Sequence, residues 1–161
     1  MNKNTIIATI VLCLVIVGFY FFRPGRTEAP GESQNISADT LAHIKEKADL
    51  IVLDSPSPNS VITSPMMISG KARGTWYFEA SFPIILVDWD GLIIAEGYAT
   101  ALSDWMTEDF VPFQATLEFE KPALADTTDF GKRGAIILKK DNPSGLPEYD
   151  DALEIPLRFA E

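Results

Sequence analysis

With 161 residues and a formal net charge of −10, the chain has room for one domain beyond a terminal segment. Its acidity argues against nucleic acid and anionic lipid surfaces as partners, because both demand clustered Lys or Arg. A single cysteine, Cys13, and a single histidine, His43, exclude a disulfide framework, a zinc site of Cys and His, and histidine-dependent nucleophilic catalysis in the domain.

Residues 5–22 are an unbroken run of eighteen apolar or weakly polar residues between Lys3 and Arg23. At about 1.5 Å per residue a helix of this length covers roughly 27 Å, close to the hydrocarbon thickness of a bilayer, so residues 1–26 are expected to form a single-pass signal anchor. A cleaved secretory signal is the competing reading. Its apolar core is usually about 7 to 15 residues long and ends at a small-x-small site, whereas this run ends in Phe19, Tyr20, Phe21, Phe22, Arg23 and Pro24. Cys13 then reads as a small hydrophobe in lipid. Lys3 on one flank nearly cancels Arg23 and Arg26 on the other, and the short tail before the run favours the amino terminus inside, with the remainder extracytoplasmic.

Residues 27–49 read as a stalk. The segment 23–36 (RPGRTEAPGESQNI) is rich in Pro, Gly and charge and cannot bury a face. Residues 37–48 carry one helical stripe, Leu41, Ile44 and Ala48, with Ser37 or Asp39 as N-cap, which predicts a short helix beside the domain. His43 lies off that stripe and is expected in solvent.

From residue 50 to 161 the period changes to two. Phe113, Ala115, Leu117 and Phe119 alternate with polar residues, as do Leu153, Ile155, Leu157 and Phe159, the pattern of half-buried strands. Residues 84–87 and 92–95 are apolar runs joined by Asp88-Trp89-Asp90-Gly91, and they predict a buried hairpin whose Asp-Gly pair supplies positive φ angles. Further strands are expected at 50–53, 66–72, 99–102 and 135–139, with turn signals at 55–59, 126–131 and 141–145. Pro156 must face outward at an edge or an unpaired position, since it cannot donate to a ladder. Seven or eight short strands over this length predict an all-β, two-sheet sandwich.

Few residues are arranged for catalysis or metal binding. Ser144 in Asn-Pro-Ser-Gly has no histidine in the domain to take its proton and reads as a turn residue. Asp88 with Asp90, or Asp104 with Glu108 and Asp109, match no calcium loop, so neither a metal nor a cofactor is expected. Nothing in the spacing of Glu79, Asp104, Glu108 and Asp109 selects a carboxylate pair for glycoside hydrolysis. The feature that stands out is aromatic residues beside acids, Trp76 to Glu79 in one segment and Asp104, Trp105, Met106 and Phe110 in another. Such pairs could grip a sugar ring or a partner's basic peptide. The alternative is that Trp76, Phe78, Trp105 and Phe113 close the ends of the sandwich while the acids satisfy loop amides.

Several linked stretches occur in a fixed order: Ser64-Pro65, 70–80 (GKARGTWYFEA), 104–113 (DWMTEDFVPF), 140–147 (KDNPSGLP) and Ile155-Pro156. Together, over nearly all of 50–159, they resemble the immunoglobulin-like domain family of bacterial spore germination. The resemblance implies an immunoglobulin-like β-sandwich in a bacterial envelope protein, with no established enzymatic activity and no agreed ligand. That family is often paired with a second germination-associated domain, of which this sequence shows no counterpart; the domain also looks like one used by bacteria that form no spores. The expected function is a non-catalytic, membrane-anchored extracytoplasmic interaction or scaffolding module. Its partner is then an envelope protein or, alternatively, wall glycan, with an envelope hydrolase ranked last. The candidate binding surface comprises Trp76, Glu79, Asp104, Trp105, Met106, Asn142 and Ser144.

Overall fold

In the computed structural model, which describes residues 36–160, the first element is helix α1, Ala38–Lys47. The expected anchor and the first part of the stalk lie outside the described residues. Among the described residues no helix is long and apolar enough to cross a membrane. Ser37 caps α1 by accepting the Thr40 N–H at 3.1 Å, Asp39 occupies the first turn, and Lys45 and Lys47 occupy the last. Each placement offsets the helix dipole or an orphan amide.

Eight strands follow: β1 (Ile51–Ser55), β2 (Val61–Ile62), β3 (Met66–Arg73), β4 (Ser81–Asp88), β5 (Ile93–Ala101), β6 (Phe110–Leu117), β7 (Arg133–Lys139) and β8 (Ala152–Phe159). They form one hydrogen-bonded ladder in the order β1-β3-β6-β5-β4-β7-β8-β2, antiparallel except for the parallel pair β2–β8. The ladder curls into two layers. One holds β1, β3 and β6; the other holds β5, β4, β7, β8 and β2; they are joined where Thr100 and Ala101 pair with Gln114 and Phe113. The expected separate sheets are thus continuous, and the reason is β5. The sequence pattern predicts separate strands at 92–95 and 99–102 around Glu96-Gly97-Tyr98, but the strand runs through. Gly97 is where the layers approach: a Cβ there would lie 3.1 Å from Leu117 Cδ1 and 3.7 Å from Ile84 Cγ1.

Between the layers lie Ile68, Phe82, Ile84, Leu86, Phe113 and Ile136 with their neighbours, all buried. Val111, Phe113, Ala115 and Leu117 point inward, as do Leu153, Ile155, Leu157 and Phe159, in the predicted alternation. The 84–95 hairpin departs from expectation. Ile84 and Leu86 are buried, but Leu92 and Ile93 are more than half exposed, because a register shift after Leu86 leaves Ile94 without a partner. Its turn has positive φ at Gly91 (79°) alone, and Asp88 Oδ1 accepts the Asp90 and Leu92 amides, both at 2.9 Å.

The short helix predicted beside the domain is present as α1, and it packs on the sandwich. Residues 36–160 belong to one compact unit in which α1 packs against β8 and β1, with Ile44 against the core and Leu41 half exposed. His43 is not solvated as expected: its Nε2 accepts the Glu154 N–H at 3.2 Å, and nearby Lys47 Nζ meets Asp151 Oδ1 at 2.6 Å. The short β2 explains this. Alternate residues of β8 turn their amides toward β2, which reaches only as far as Arg158 and Phe159, leaving the edge at Glu154 and Pro156 to be satisfied otherwise. Pro156 has no N–H to place there, and its carbonyl takes the Asn59 N–H at 2.7 Å, the unpaired position its chemistry requires. His43 takes Glu154. Beneath α1 a cavity of about 150 Å³ is lined by Ile44, Ile51, Leu53, Leu153 and Ile155 among others.

Candidate functional site

Three connections leave the same end of the sandwich: 74–80 after β3, 102–109 after β5 and 140–151 after β7. They interlock through their backbones. Gly74–Trp76 is a single 3-10 turn whose first residue donates its N–H to the Asp109 carbonyl at 3.2 Å. A Cβ on Gly74 would stand 1.9 Å from the Thr107 carbonyl oxygen and 2.3 Å from that of Trp105, so only glycine lets the chains pass. The Trp76 carbonyl accepts the Asp141 N–H at 3.1 Å, tying in the third loop. Arg73 braces the group from below: Nε donates to the Asp49 carbonyl, Nη1 to that of Glu108, and the guanidinium lies 4.2 Å from the Phe110 ring centroid.

The singled-out residues divide into floor, staple and surface. Trp76 is 1 % exposed and belongs to the core, which corrects its placement as a contact residue; its Nε1 has no hydrogen-bond partner among the described residues. Trp105 is half-buried against the same core, and Phe113 is fully buried. Of the expected sandwich plug, these three carry the part; Phe78 does not. Asn142 and Ser144 are spent inside their loop. Asn142 Nδ2 donates to the Leu146 carbonyl and to Asp150 Oδ1, while Ser144 Oγ donates to Asn142 Oδ1 and accepts the Leu146 N–H. Asp104 is exposed, and its Oδ1 accepts the Met106 N–H at 3.0 Å.

Glu79 and Met106 are each exposed, Met106 at 76 %. Phe78, part of the aromatic-acid segment read from the sequence, is exposed too, whereas the exposed apolar residues Leu102, Leu146 and Tyr149 of these loops were missed by sequence reasoning. It also missed the backbone of residues 78–81. There Phe78 and Ser81 exchange N–H···O bonds across Glu79 (φ 49°) and Ala80 (φ 63°), a tight turn with two consecutive left-handed residues. Asn-Gly would suit it; Glu and Ala cost about 1 to 2 kcal/mol each and carry no sequence signal for the turn.

Beneath this end Tyr77 donates its hydroxyl to the Val111 carbonyl at 2.7 Å, and burial pushes its phenol well above the ordinary 10.0, against a smaller opposing effect of the Ala72 backbone. The folded state therefore holds this proton to higher pH than the unfolded chain does. Its contribution to stability is full below about pH 10 and is lost as pH rises beyond that. Melting curves between about pH 8 and 11 should show this fall, and Tyr77→Phe should flatten it while costing about 0.5 to 1.5 kcal/mol at neutral pH for the lost hydroxyl bond, the Val111 carbonyl keeping its place in the β3–β6 ladder. An unchanged alkaline slope in the variant would assign the loss to other groups.

Among the described residues no three of His, Cys, Asp or Glu converge as a metal site. The ladder is a sandwich of β1, β3 and β6 over β5, β4, β7, β8 and β2 that gathers three loops at one end, an immunoglobulin-like arrangement. The model of the family described as the immunoglobulin-like domain of bacterial spore germination matches residues 50–130, half of the chain, and the protein belongs to that family. Among curated proteins none matches. The matched stretch includes two of the three loops, while β7, β8 and the third loop follow it. Membership supports a germination-related, non-catalytic module.

Proposed function

We propose that this protein is a single-pass module of the bacterial envelope that holds its sandwich outside the cytoplasmic membrane and binds a partner protein through the three-loop end. The observation that carries the binding reading is the 78–81 turn. Two strained non-glycine residues, Glu79 and Ala80, shape a turn that leaves Phe78 and Glu79 exposed at the end of the sandwich where Met106 and Asp104 are exposed too, and strain of this kind persists where a surface has work to perform. A protein partner fits better than wall glycan. Sugar rings stack on flat exposed indoles, yet Trp76 is buried and Trp105 half-buried, while the exposed side chains are mostly aliphatic, thioether and phenyl groups amid acids, with Tyr149 the one exposed phenol among those named at this end. The anchor rests on the eighteen-residue apolar run at 5–22.

The test uses membranes containing the chain. It should remain in the pellet after carbonate washing, and after mild solubilisation it should capture a discrete envelope protein. Met106→Glu should abolish capture without lowering the melting temperature, because Met106 is open to solvent. Asp104→Ala should weaken capture and cost about 1 kcal/mol for the lost turn bond. Capture unaffected by Met106→Glu would remove the loop end from the binding role, and release by carbonate would remove the anchor.

A further inference from the structure

One edge of the ladder is left open where the layers part. β5 pairs with β4 along its length, but on its other side only Thr100 and Ala101 meet β6, with the Leu102 N–H reaching the Pro112 carbonyl just beyond. Backbone groups alternate sides along a strand, so those of Glu96 and Tyr98 face the same way as those of Leu102, and among the described residues they have no partner there. Natural edges are usually blunted by Lys, by Pro or by an inward charge. This one carries Gly97 between Glu96 and a Tyr98 that is 65 % exposed, with the exposed Leu92 and Ile93 at its start.

Charge selects the occupant. From Gly74 to Glu120 the chain has nine carboxylates and no Lys, Arg or His, and this stretch supplies β4, β5 and β6. A second copy added edge to edge would set this acidic stretch against itself, at a cost in like-charge repulsion. We propose that the β5 edge takes an extended, Lys- or Arg-bearing segment of a partner protein as a ninth strand. The added backbone pairs with Glu96 and Tyr98, a basic side chain lies beside Glu96, and an apolar or second basic side chain two residues away lies against the Tyr98 ring. This surface is on the β5 edge rather than among the three loops, so it stands apart from the loop-end reading.

The experiment uses the intact chain and two synthetic octapeptides of alternating sequence, one of Val and Lys, the other of Val and Glu. The Val-Lys peptide should bind at least about tenfold tighter than its acidic counterpart, weaken in high salt, and protect the Glu96 and Tyr98 amides from hydrogen exchange. Tyr98→Pro removes an N–H from the open edge and none from the β4 ladder, so it should abolish both effects; Glu96→Lys should reverse the peptide preference even if the proline variant does not fold. Met106→Glu should change neither. Equal binding of the two peptides, or binding without protection of these two amides, overturns the proposal. Val-Lys binding that survives Tyr98→Pro in a folded variant reduces the effect to general charge attraction and also overturns it. A concentration-dependent dimer lost in Tyr98→Pro would make the occupant a second copy instead.

Discussion

Leu117→Asp is expected to leave the chain unfolded at room temperature. Leu117 is 3 % exposed at the inner end of β6, and its Cδ1 occupies the space that Gly97 leaves by having no side chain. A carboxylate there has no route to water and no cation within the apolar layer, so it costs several kcal/mol on top of the lost packing. Domains of this size are stable by only about 5 to 15 kcal/mol, and the two losses together consume most of that. Circular dichroism in the near ultraviolet should be flat for the variant. Leu117→Ala, by contrast, should fold and lose about 2 to 5 kcal/mol by denaturant titration. Parental melting of Leu117→Asp would mean that β6 faces the other way.

Gly74→Ala should be the most damaging conservative change at the loop end. The added methyl would meet two carbonyl oxygens of the 102–109 connection at 1.9 and 2.3 Å, and both are backbone, so no rotamer change relieves the clash. We expect a loss of about 3 kcal/mol and faster amide exchange at 104–109, together with weaker partner capture. Gly91→Ala is the control. Its methyl would touch nothing within 4 Å, so only the positive φ of 79° opposes it, at about 1 kcal/mol. If the two variants melt alike, the loops give way easily and their interlocking contributes little.

What the sequence reveals and conceals follows from the same physics. Strands with one wet face announce themselves, which is why β6 and β8 are legible to the residue at Phe113 through Leu117 and Leu153 through Phe159. β2 is two residues long and has no period at all. Gly97 reads as a strand breaker, yet here it admits a neighbouring leucine, so the continuity of β5 is hidden. His43 is invisible for another reason: its bond goes to an amide made available only by the shortness of β2. At the loop end the turn signals and the aromatic-acid pairs mark the right segments, but an indole beside an acid reads the same whether it faces water or the core. The left-handed pair Glu79-Ala80 is concealed because neither residue favours that backbone.

The way α1 is fastened also bears on mechanics. A pull applied directly to Ile51 would peel β1 from β3 one hydrogen bond at a time, the weakest way to load a sheet. A pull arriving at Ser37 meets the helix first. It must break the His43–Glu154 and Lys47–Asp151 contacts and draw Ile44 from the core before tension reaches β1. These contacts anchor to β8, held between β7 and β2, so the load passes to the opposite layer and is shared across the sandwich. The short helix thus acts as a strain relief at the point where the chain enters the domain.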